Sequence, residues 1–133
     1  MKLITRNTDY AIRAVCALAK RRGKVLTVPI LVGELKIPRP FLRKILQVLG
    51  SKLIIDSSRG IGGGFKLMRD PKKLYMLEII EAFQGPFSLN ECFLNKSLCP
   101  NRKTCFLKKK IDHIEADVLR QLKNITVADI LKG

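Results

Sequence analysis

The sequence predicts a mainly α-helical fold with a small β-hairpin wing: a winged helix-turn-helix followed by a long C-terminal dimerisation helix. Three observations predict it. Apolar residues recur at helical spacing in several segments, two short helices separated by a tight turn occupy residues 27–50, and the glycine-rich stretch SSRGIGGGFKL interrupts the helical pattern at residues 57–67. We expect residues 1–85 to form the winged domain, 86–104 a cysteine-bearing loop, and 105–133 the dimerisation helix and a last short helix.

The first helix is expected from Thr8 to Arg22, with Asn7 or Thr8 as its cap and Gly23 as its stop. Its stripe of apolar residues has helical spacing, and Cys16 within it is predicted to be a core residue. The members of the stripe are Ala11, Ala14, Val15, Leu18 and Ala19.

The second and third helices have the outline of a helix-turn-helix. Thr27 can cap the second helix, which has a proline in its first turn and ends near Leu35. The third opens at residues 38–40 and runs to about Gly50, with one apolar and one basic face. The basic face carries Arg39, Arg43 and Lys44, where a helix N-terminus disfavours cations unless an anion is present.

The glycine-rich stretch is predicted to be the tip of a β-hairpin. It fits neither a Walker phosphate loop, which needs Gly-Lys-Ser/Thr, nor a dinucleotide fingerprint, which needs a glycine where Phe65 stands. Short apolar runs flank it, at residues 53–55 and 65–67. A hairpin directly after a helix-turn-helix makes a wing, and Arg59 at its tip suits a narrow, negative groove.

The charge of the chain indicates a polyanionic partner. Among 133 residues, 26 are Lys or Arg and 11 are Asp or Glu, which gives a net charge of +15, while 47% of the residues are hydrophobic. A basic chain that can form a core most often binds nucleic acid, and an anionic membrane surface is the lesser alternative. The N-terminus has no signal-peptide pattern and no segment is a membrane span, so we expect a cytoplasmic protein.

Together these features predict a protein that binds double-stranded DNA, with the third helix in the major groove and the wing on phosphates or the minor groove. The alternative is that these cations are ordinary solvated side chains. An RNA-binding protein is a further alternative, but no stacking platform of aromatic residues is visible. The predicted contacts are Arg39, Pro40, Arg43, Lys44, Ser58, Arg59, Gly60 and Gly62.

The chain beyond the wing is predicted to contain three more helices. The first runs from Leu74 to Gly85, and an irregular stretch follows it. A long charged helix over residues 105–124 carries one apolar stripe, which favours packing in a symmetric homodimer over packing on its own domain. Thr126 and Asp129 have the capping-box spacing ahead of the last helix. The stripe comprises Ile111, Ile114, Val118 and Leu122.

Three cysteines in the irregular stretch form a candidate metal site. Cys92, Cys99 and Cys105 have the spacing Cys-x6-Cys-x5-Cys and lie among apolar residues. Zinc sites usually bring ligands in close Cys-x2-Cys pairs, which are absent here. The wide spacing favours an iron-sulfur cluster, and three unrelated thiols remain the alternative.

The assembled residues resemble the iron-sulfur winged-helix transcription regulators typified by IscR and NsrR, a family that also includes the cluster-free regulator CymR. The resemblance covers essentially the whole chain, and the wing followed by three cysteines is specific as a combination. It is carried by Asp9-Tyr10-Ala11, Ile37-Pro38, Phe41-Leu42, Ile45-Leu46, Arg59-Gly60, residues 62–67, Glu78-Ile79-Ile80, the three cysteines and the closing Asn124-Ile125-Thr126-Val127.

The resemblance implies that the three cysteines ligate a [2Fe-2S] or [4Fe-4S] cluster, that the long helix crosses a homodimer, and that cluster state alters promoter binding. In IscR-like members a histidine three residues past the third cysteine completes the cluster, whereas Lys108 stands there in this chain and cannot ligate. In NsrR-like members an N-terminal aspartate of the partner subunit serves instead, which makes Asp9 the candidate fourth ligand. Stabilisation of the helix dipole is the other role open to Asp9, and His113 is a further candidate ligand.

We therefore expect a homodimeric transcription regulator, not an enzyme, whose binding to a pseudo-palindromic promoter is switched by a cluster that senses redox state, iron-sulfur status or nitric oxide. The alternatives are a small cysteine-based redox enzyme and a cluster-free or zinc-bound regulator of the same fold. The redox enzyme would leave the basic helix and the wing unexplained.

Overall fold

A computed structural model describes residues 3–88 and 106–133. Within them it contains six helices and one two-stranded hairpin, and all six predicted helices are present. The mainly α-helical fold with a wing is therefore confirmed. The elements are α1 Arg6–Lys20, α2 Val28–Leu35, α3 Arg39–Ser51, β1 Ile55–Ser58, β2 Gly64–Leu67, α4 Met76–Gln84, α5 Phe106–Leu122 and α6 Val127–Lys132.

Helix α1 begins earlier than the sequence predicts. Its cap is Thr5, whose hydroxyl accepts a hydrogen bond from the amide of Thr8 at 3.3 Å. The predicted caps Asn7 and Thr8 are wrong, because both lie within the first turns of the helix. Thr8 is fully buried, and its hydroxyl donates to the side-chain carbonyl of Gln84 at 2.7 Å.

The core is built around α1, which contacts α2, α3, α4, α6 and strand β2. Small alanines on its buried face let these elements approach closely, and large aliphatic side chains from the neighbouring elements fill the space between them. The largest fully buried side chains are Leu18, Leu31, Ile37, Leu42, Leu46, Leu49, Ile55, Leu74, Ile79, Ile80, Val15 and Val127.

The helix-turn-helix is fixed to α1 by polar contacts as well as by the core. Thr27 caps α2 as predicted, and the helix ends at Lys36, which adopts a left-handed conformation with φ of 55°. The guanidinium of Arg13 donates to the carbonyl of Leu35 at 2.8 Å. Arg21 and Glu34 form a bidentate ion pair between α1 and α2. These contacts hold the end of α2, and therefore the turn into α3, against α1.

The wing is an antiparallel hairpin in which Ile55 pairs with Leu67 and Ser58 with Gly64. It begins at Ile55 rather than at Leu53, where the sequence predicted its apolar flank. Leu53 has a φ of 59° and is exposed, because it ends α3. Strand β2 also pairs with Leu26 through two hydrogen bonds of 2.8 Å, which attaches the wing to the segment between α1 and α2.

The C-terminal helices differ in how they pack. Thr126 and Asp129 form the predicted capping box, with hydrogen bonds of 2.9 and 3.1 Å. Helix α6 lies against α1, and the amide of Val127 donates to the carbonyl of Leu74 at 2.9 Å. Leu122, in the last turn, is the one buried side chain of α5, and Val118 and Leu119 are partly buried against the core, so the N-terminal part of that helix is the part that projects from the core.

Candidate nucleic-acid interface

Helix α3 presents a polar face opposite its buried stripe. Leu42, Ile45, Leu46 and Leu49 are buried in the core, which fixes the rotation of the helix about its axis. The side chains on the other side are exposed, and they include all four residues that the sequence predicted on this helix to contact DNA. The exposed residues of α3 are Arg39, Pro40, Phe41, Arg43, Lys44, Gln47 and Ser51.

The wing tip depends on its glycines. Gly60 and Gly62 have φ values of 92° and 79°, a region that glycine adopts without strain. Gly63 and Gly64 are needed for a different reason. A Cβ atom on Gly63 would lie 2.4 Å from the carbonyl oxygen of Ser58, and one on Gly64 would lie 2.5 Å from that of Leu26. The glycine-rich stretch is therefore explained by the turn and by close backbone packing.

The folded chain brings α3 and the wing to one open cleft of about 700 Å³. Arg43 lines it from the helix, and Ser58 and Arg59 line it from the wing. The other predicted contacts, Arg39, Pro40, Lys44, Gly60 and Gly62, are exposed but do not line this cleft. Three of the eight predicted DNA contacts thus converge on one groove.

The arginines of this surface differ from most of the other described arginines in forming no ion pair. Five of the nine arginines in the described residues are ion-paired, among them Arg21 with Glu34 and Arg69 with Glu78. Arg39, Arg43 and Arg59 form no ion pair with any described residue, and Arg6 is the fourth such arginine. Unpaired cations that share a surface are available to neutralise phosphates.

Gln47 is a residue of this surface that the sequence reasoning missed. It lines the cleft together with Arg43, from which it is separated by one helical turn. Its side chain is neutral, so the pattern of cations on this helix does not include it. Its position on the face opposite Leu42 and Leu49 could have been read from the helical spacing alone.

The candidate metal ligands are only partly described. Cys92, Cys99 and Cys105 lie outside the described residues. Asp9 is in the first turn of α1, its side chain is 57% exposed, and its carboxylate is 3.9 Å from a guanidinium nitrogen of Arg13. Within residues 3–88 and 106–133, no three His, Cys, Asp or Glu side chains are grouped so that they could hold a metal ion.

Two further residues that the sequence singled out lie on α5. Lys108, which the sequence predicts to be a cation that cannot ligate, forms an ion pair of 2.7 Å with Asp112. His113 is exposed on the same helix. Neither residue contributes to a metal site built from the described part of the chain.

Cys16 is half-buried on α1 rather than fully in the core, and it lines a small cleft of about 460 Å³ with Lys20 and Glu34. Burial raises the pKa of its thiol, and the nearby Lys20 ammonium partly opposes that effect. A thiol with a raised pKa is a poor nucleophile and a poor metal ligand at neutral pH. Cys16 therefore acts mainly as a packing residue.

The proteins that this chain resembles are transcriptional regulators, which agrees with a surface suited to nucleic acid. Residues 4–133 match the model of the Rrf2 family, described as iron-dependent transcriptional regulators. The transcriptional regulator NsrR of Bacillus subtilis is 31% identical over 135 residues, covering 100% of this chain and 92% of that protein. NsrR of Bacillus licheniformis is 29% identical, covering 98% of this chain and 92% of that protein.

Two solved structures share the fold. That of CymR, the global cysteine regulator of B. subtilis, has a TM-score of 0.81 at 22% identity and covers 99% of this chain and 98% of its own. That of IscR from T. potens has a TM-score of 0.76 at 22% identity and covers 99% of this chain and 87% of its own. Within the described residues, no helix is both long and apolar enough to cross a bilayer.

Proposed function

Because the chain belongs to the Rrf2 family of transcriptional regulators, we propose that it is a cytoplasmic homodimer that binds a pseudo-palindromic promoter site in double-stranded DNA. Helix α3 enters the major groove, and the wing lies on the adjacent backbone or minor groove. A two-fold symmetric dimer presents two such surfaces, and the symmetry of the DNA site follows from it.

The observation that carries this proposal is the shared cleft with its unpaired cations. Arg43 from α3 and Arg59 from the wing line the same groove, and neither has an acidic partner in the described residues. Asp56 also lines the cleft, but it forms no ion pair with either arginine. Cations that are not ion-paired can replace the counterions of a phosphate backbone, which makes binding favourable and dependent on salt. A redox enzyme would have no use for this arrangement.

The first experiment measures DNA binding as a function of salt. In competition gel shifts with promoter fragments and random duplex, the wild-type protein should prefer a pseudo-palindromic site. Arg59→Ala should weaken binding and lower the slope of log K against log salt by about one. The matched control is Arg69→Ala, which removes an arginine paired with Glu78 away from the cleft and should leave the slope unchanged. Equal binding to all fragments by a folded dimer would contradict the proposal.

Helix α5 supports the homodimer. Phe106 is 71% exposed, and Leu107 and Ile114 are also exposed, although α5 ends in the core at Leu122. A helix with exposed large apolar side chains at one end gains free energy by burying them against a second copy. A dimer formed through α5 would hold the two recognition helices at a fixed separation.

We further propose that Cys92, Cys99 and Cys105 hold a [2Fe-2S] or [4Fe-4S] cluster, with Asp9 of the partner subunit as the fourth ligand. Three thiolates within 14 residues fit the chemistry of a cluster, and the weakly held, exposed carboxylate of Asp9 is free to ligate. When bound, the cluster supplies reversible redox chemistry. The description of the family as iron-dependent supports this assignment.

The regulation would work through the connection between α4 and α5. The three cysteines lie between Gln84 at the end of α4, in the winged domain, and Phe106 at the start of α5. The cluster-bound and cluster-free forms would then differ in how the dimer helix is held relative to the recognition helices. The cluster can switch DNA binding only if the cluster-bound and cluster-free forms differ in their affinity for DNA.

Anaerobic purification tests the cofactor. Iron and acid-labile sulfide should be present with the absorption bands of a cluster, and Mössbauer spectra should identify its type. Stoichiometric zinc without iron, or no metal at all in a dimer that still selects its DNA site, would leave a regulator of the zinc-bound or cluster-free kind. That result would overturn the proposal that an iron-sulfur cluster regulates the protein, and it would leave the DNA-binding proposal intact.

A further inference from the structure

The exposed face of α3 has a centre that can be located from the helical geometry. The four buried leucine and isoleucine side chains of α3 define one side of the helix. At about 100° per residue, Gln47 and Lys44 each project about 150° away from the mean direction of these side chains, on opposite sides of the line that points directly away from them, whereas Arg43 projects about 110° away, so that Gln47 lies between the two cations. Gln47 is exposed and lines the cleft beside the wing.

The chemistry at this centre differs from that of its surroundings. Pro40 has no side-chain hydrogen-bonding group, and the hydroxyl of Ser51, one turn beyond Gln47, donates to the carbonyl of Val48 at 2.7 Å. The amide of Gln47 makes no hydrogen bond to any other described residue. It therefore offers a free donor and a free acceptor, flanked by the cations Arg43 and Lys44.

An amide in this position suits a base edge better than a phosphate. Cations satisfy phosphates regardless of sequence, while a glutamine amide can pair with adenine in the major groove, accepting from N6 and donating to N7. Cβ atoms at positions i and i+4 of a helix are about 5–6 Å apart. Since successive bases rise about 3.4 Å, Gln47 and Arg43 would reach base pairs one or two steps apart.

We propose that Gln47 is a specificity-determining residue that reads an adenine in the major groove of each half-site. The inference rests on the proposed function, because it needs α3 to lie in that groove. It adds the chemical identity of one base pair, an A·T pair within two steps of the pair or phosphate contacted by Arg43.

In vitro selection from a random duplex pool tests the proposal, with wild type, Gln47→Ala and Gln47→Glu as baits. The wild type should select a site with one adenine per half-site, and replacing that A·T pair by G·C should weaken its binding roughly 5- to 150-fold. Gln47→Ala should bind both duplexes alike and keep its preference elsewhere and its salt slope, because no charge is removed. Gln47→Glu should move the preference at that position from adenine to cytosine, whose N4 donates to a carboxylate.

The outcomes separate this inference from the proposed function. If the wild type selects a site and Gln47→Ala selects the same one at every position, Gln47 does not read a base, although the protein binds DNA as proposed. A uniform loss of affinity with unchanged preference overturns the inference in the same way and makes Gln47 a backbone contact. If the wild type selects no sequence at all, the proposed function fails and the inference fails with it. Thermal melts confirm the fold, which an exposed glutamine-to-alanine change in a helix should leave intact.

Discussion

Gln84 joins the end of α4 to the start of α1. Its side-chain carbonyl accepts from the hydroxyl of Thr8 at 2.7 Å and from the amide of Thr5 at 3.0 Å, and its amide nitrogen donates to the carbonyl of Leu3 at 3.2 Å. The partner on Thr8 is fully buried. One side chain thus satisfies polar groups on a helix start that is 76 or more residues away in sequence.

Removing that side chain should destabilise the protein. Gln84→Ala leaves the Thr5 amide without its acceptor and Thr8 with only the Thr5 hydroxyl at 3.0 Å. We expect a loss of about 1–3 kcal/mol in the free energy of unfolding, measured by urea denaturation. The same substitution at exposed Gln47 is the control and should change stability by less than about 0.5 kcal/mol. An equal effect at both sites would show that the hydrogen bonds of Gln84 contribute nothing.

Single residues were the scale at which the sequence was least informative. Asn7 and Thr8 are residue types that often cap helices, and the apolar residues at helical spacing begin just after them, so the sequence predicts one of the two as the cap. What decides the role of Thr8 is the side chain of Gln84, and no local pattern connects two residues so far apart. Arg43 and Arg59 could be found because charge is visible in the sequence, but which arginines are ion-paired depends on the tertiary fold.

At the scale of elements, the wing provides a stability prediction with a matched control. Gly64→Ala places a methyl group 2.5 Å from the carbonyl oxygen of Leu26, where β2 pairs with the segment before α2. We expect a loss of about 1–3 kcal/mol in the free energy of unfolding and weaker DNA binding, since the wing must move. Gly33→Ala, in the interior of α2 with open space around it, should instead stabilise by about 0.5–1 kcal/mol. Chemical denaturation of both variants checks the two signs.

The elements themselves were largely predictable because local rules decide them. Prolines near the starts of α2 and α3, the cap Thr27 and the 3.6-residue periodicity each act within one or two turns. Leu53, the first residue of the apolar run that the sequence predicts beside the turn, lies outside strand β1, which begins at Ile55. It adopts a positive φ to end α3, and that conformation cannot be read from a leucine.

At the scale of the whole molecule, the proposed dimer depends on α5, whose N-terminal part buries little apolar surface within its own chain. Ile114 is 55% exposed in the monomer, and a second copy of the chain would bury it. Ile114→Glu should therefore shift the equilibrium from dimer to monomer, because it places a charge in that interface. Burying an isoleucine is worth about 1.5–3 kcal/mol per site, so the dissociation constant should rise at least a hundredfold with two copies per dimer. Ala116→Glu adds the same charge on the other side of α5 and should leave the dimer intact. Sedimentation velocity distinguishes the two, and dimers of equal stability would place the interface elsewhere.

The proposed cluster predicts how each cysteine substitution changes the absorbance of the protein. Cys92→Ala, Cys99→Ala and Cys105→Ala should each abolish the cluster absorbance, because each removes a thiolate ligand. Cys16→Ala should retain the absorbance, since its half-buried thiol is on α1 and has a pKa raised by burial.

Asp9→Ala should leave a cluster that assembles but is lost faster or has altered spectra, because Lys108 is bound to Asp112 and cannot take the vacated position. The control is Arg13→Ala, which removes the cation 3.9 Å from Asp9 and keeps the carboxylate. If Asp9 acts only through that ion pair, the two variants should behave alike, whereas a ligand role predicts an effect for Asp9→Ala alone.

A heterodimer of one Asp9→Ala subunit and one Cys92→Ala subunit tests whether Asp9 ligates the cluster of its own subunit or that of the partner. A cross-subunit ligand predicts that the heterodimer's single three-cysteine site, which faces the intact Asp9 of the Cys92→Ala subunit, has wild-type spectra. A ligand from the same subunit predicts the altered spectra of the Asp9→Ala homodimer.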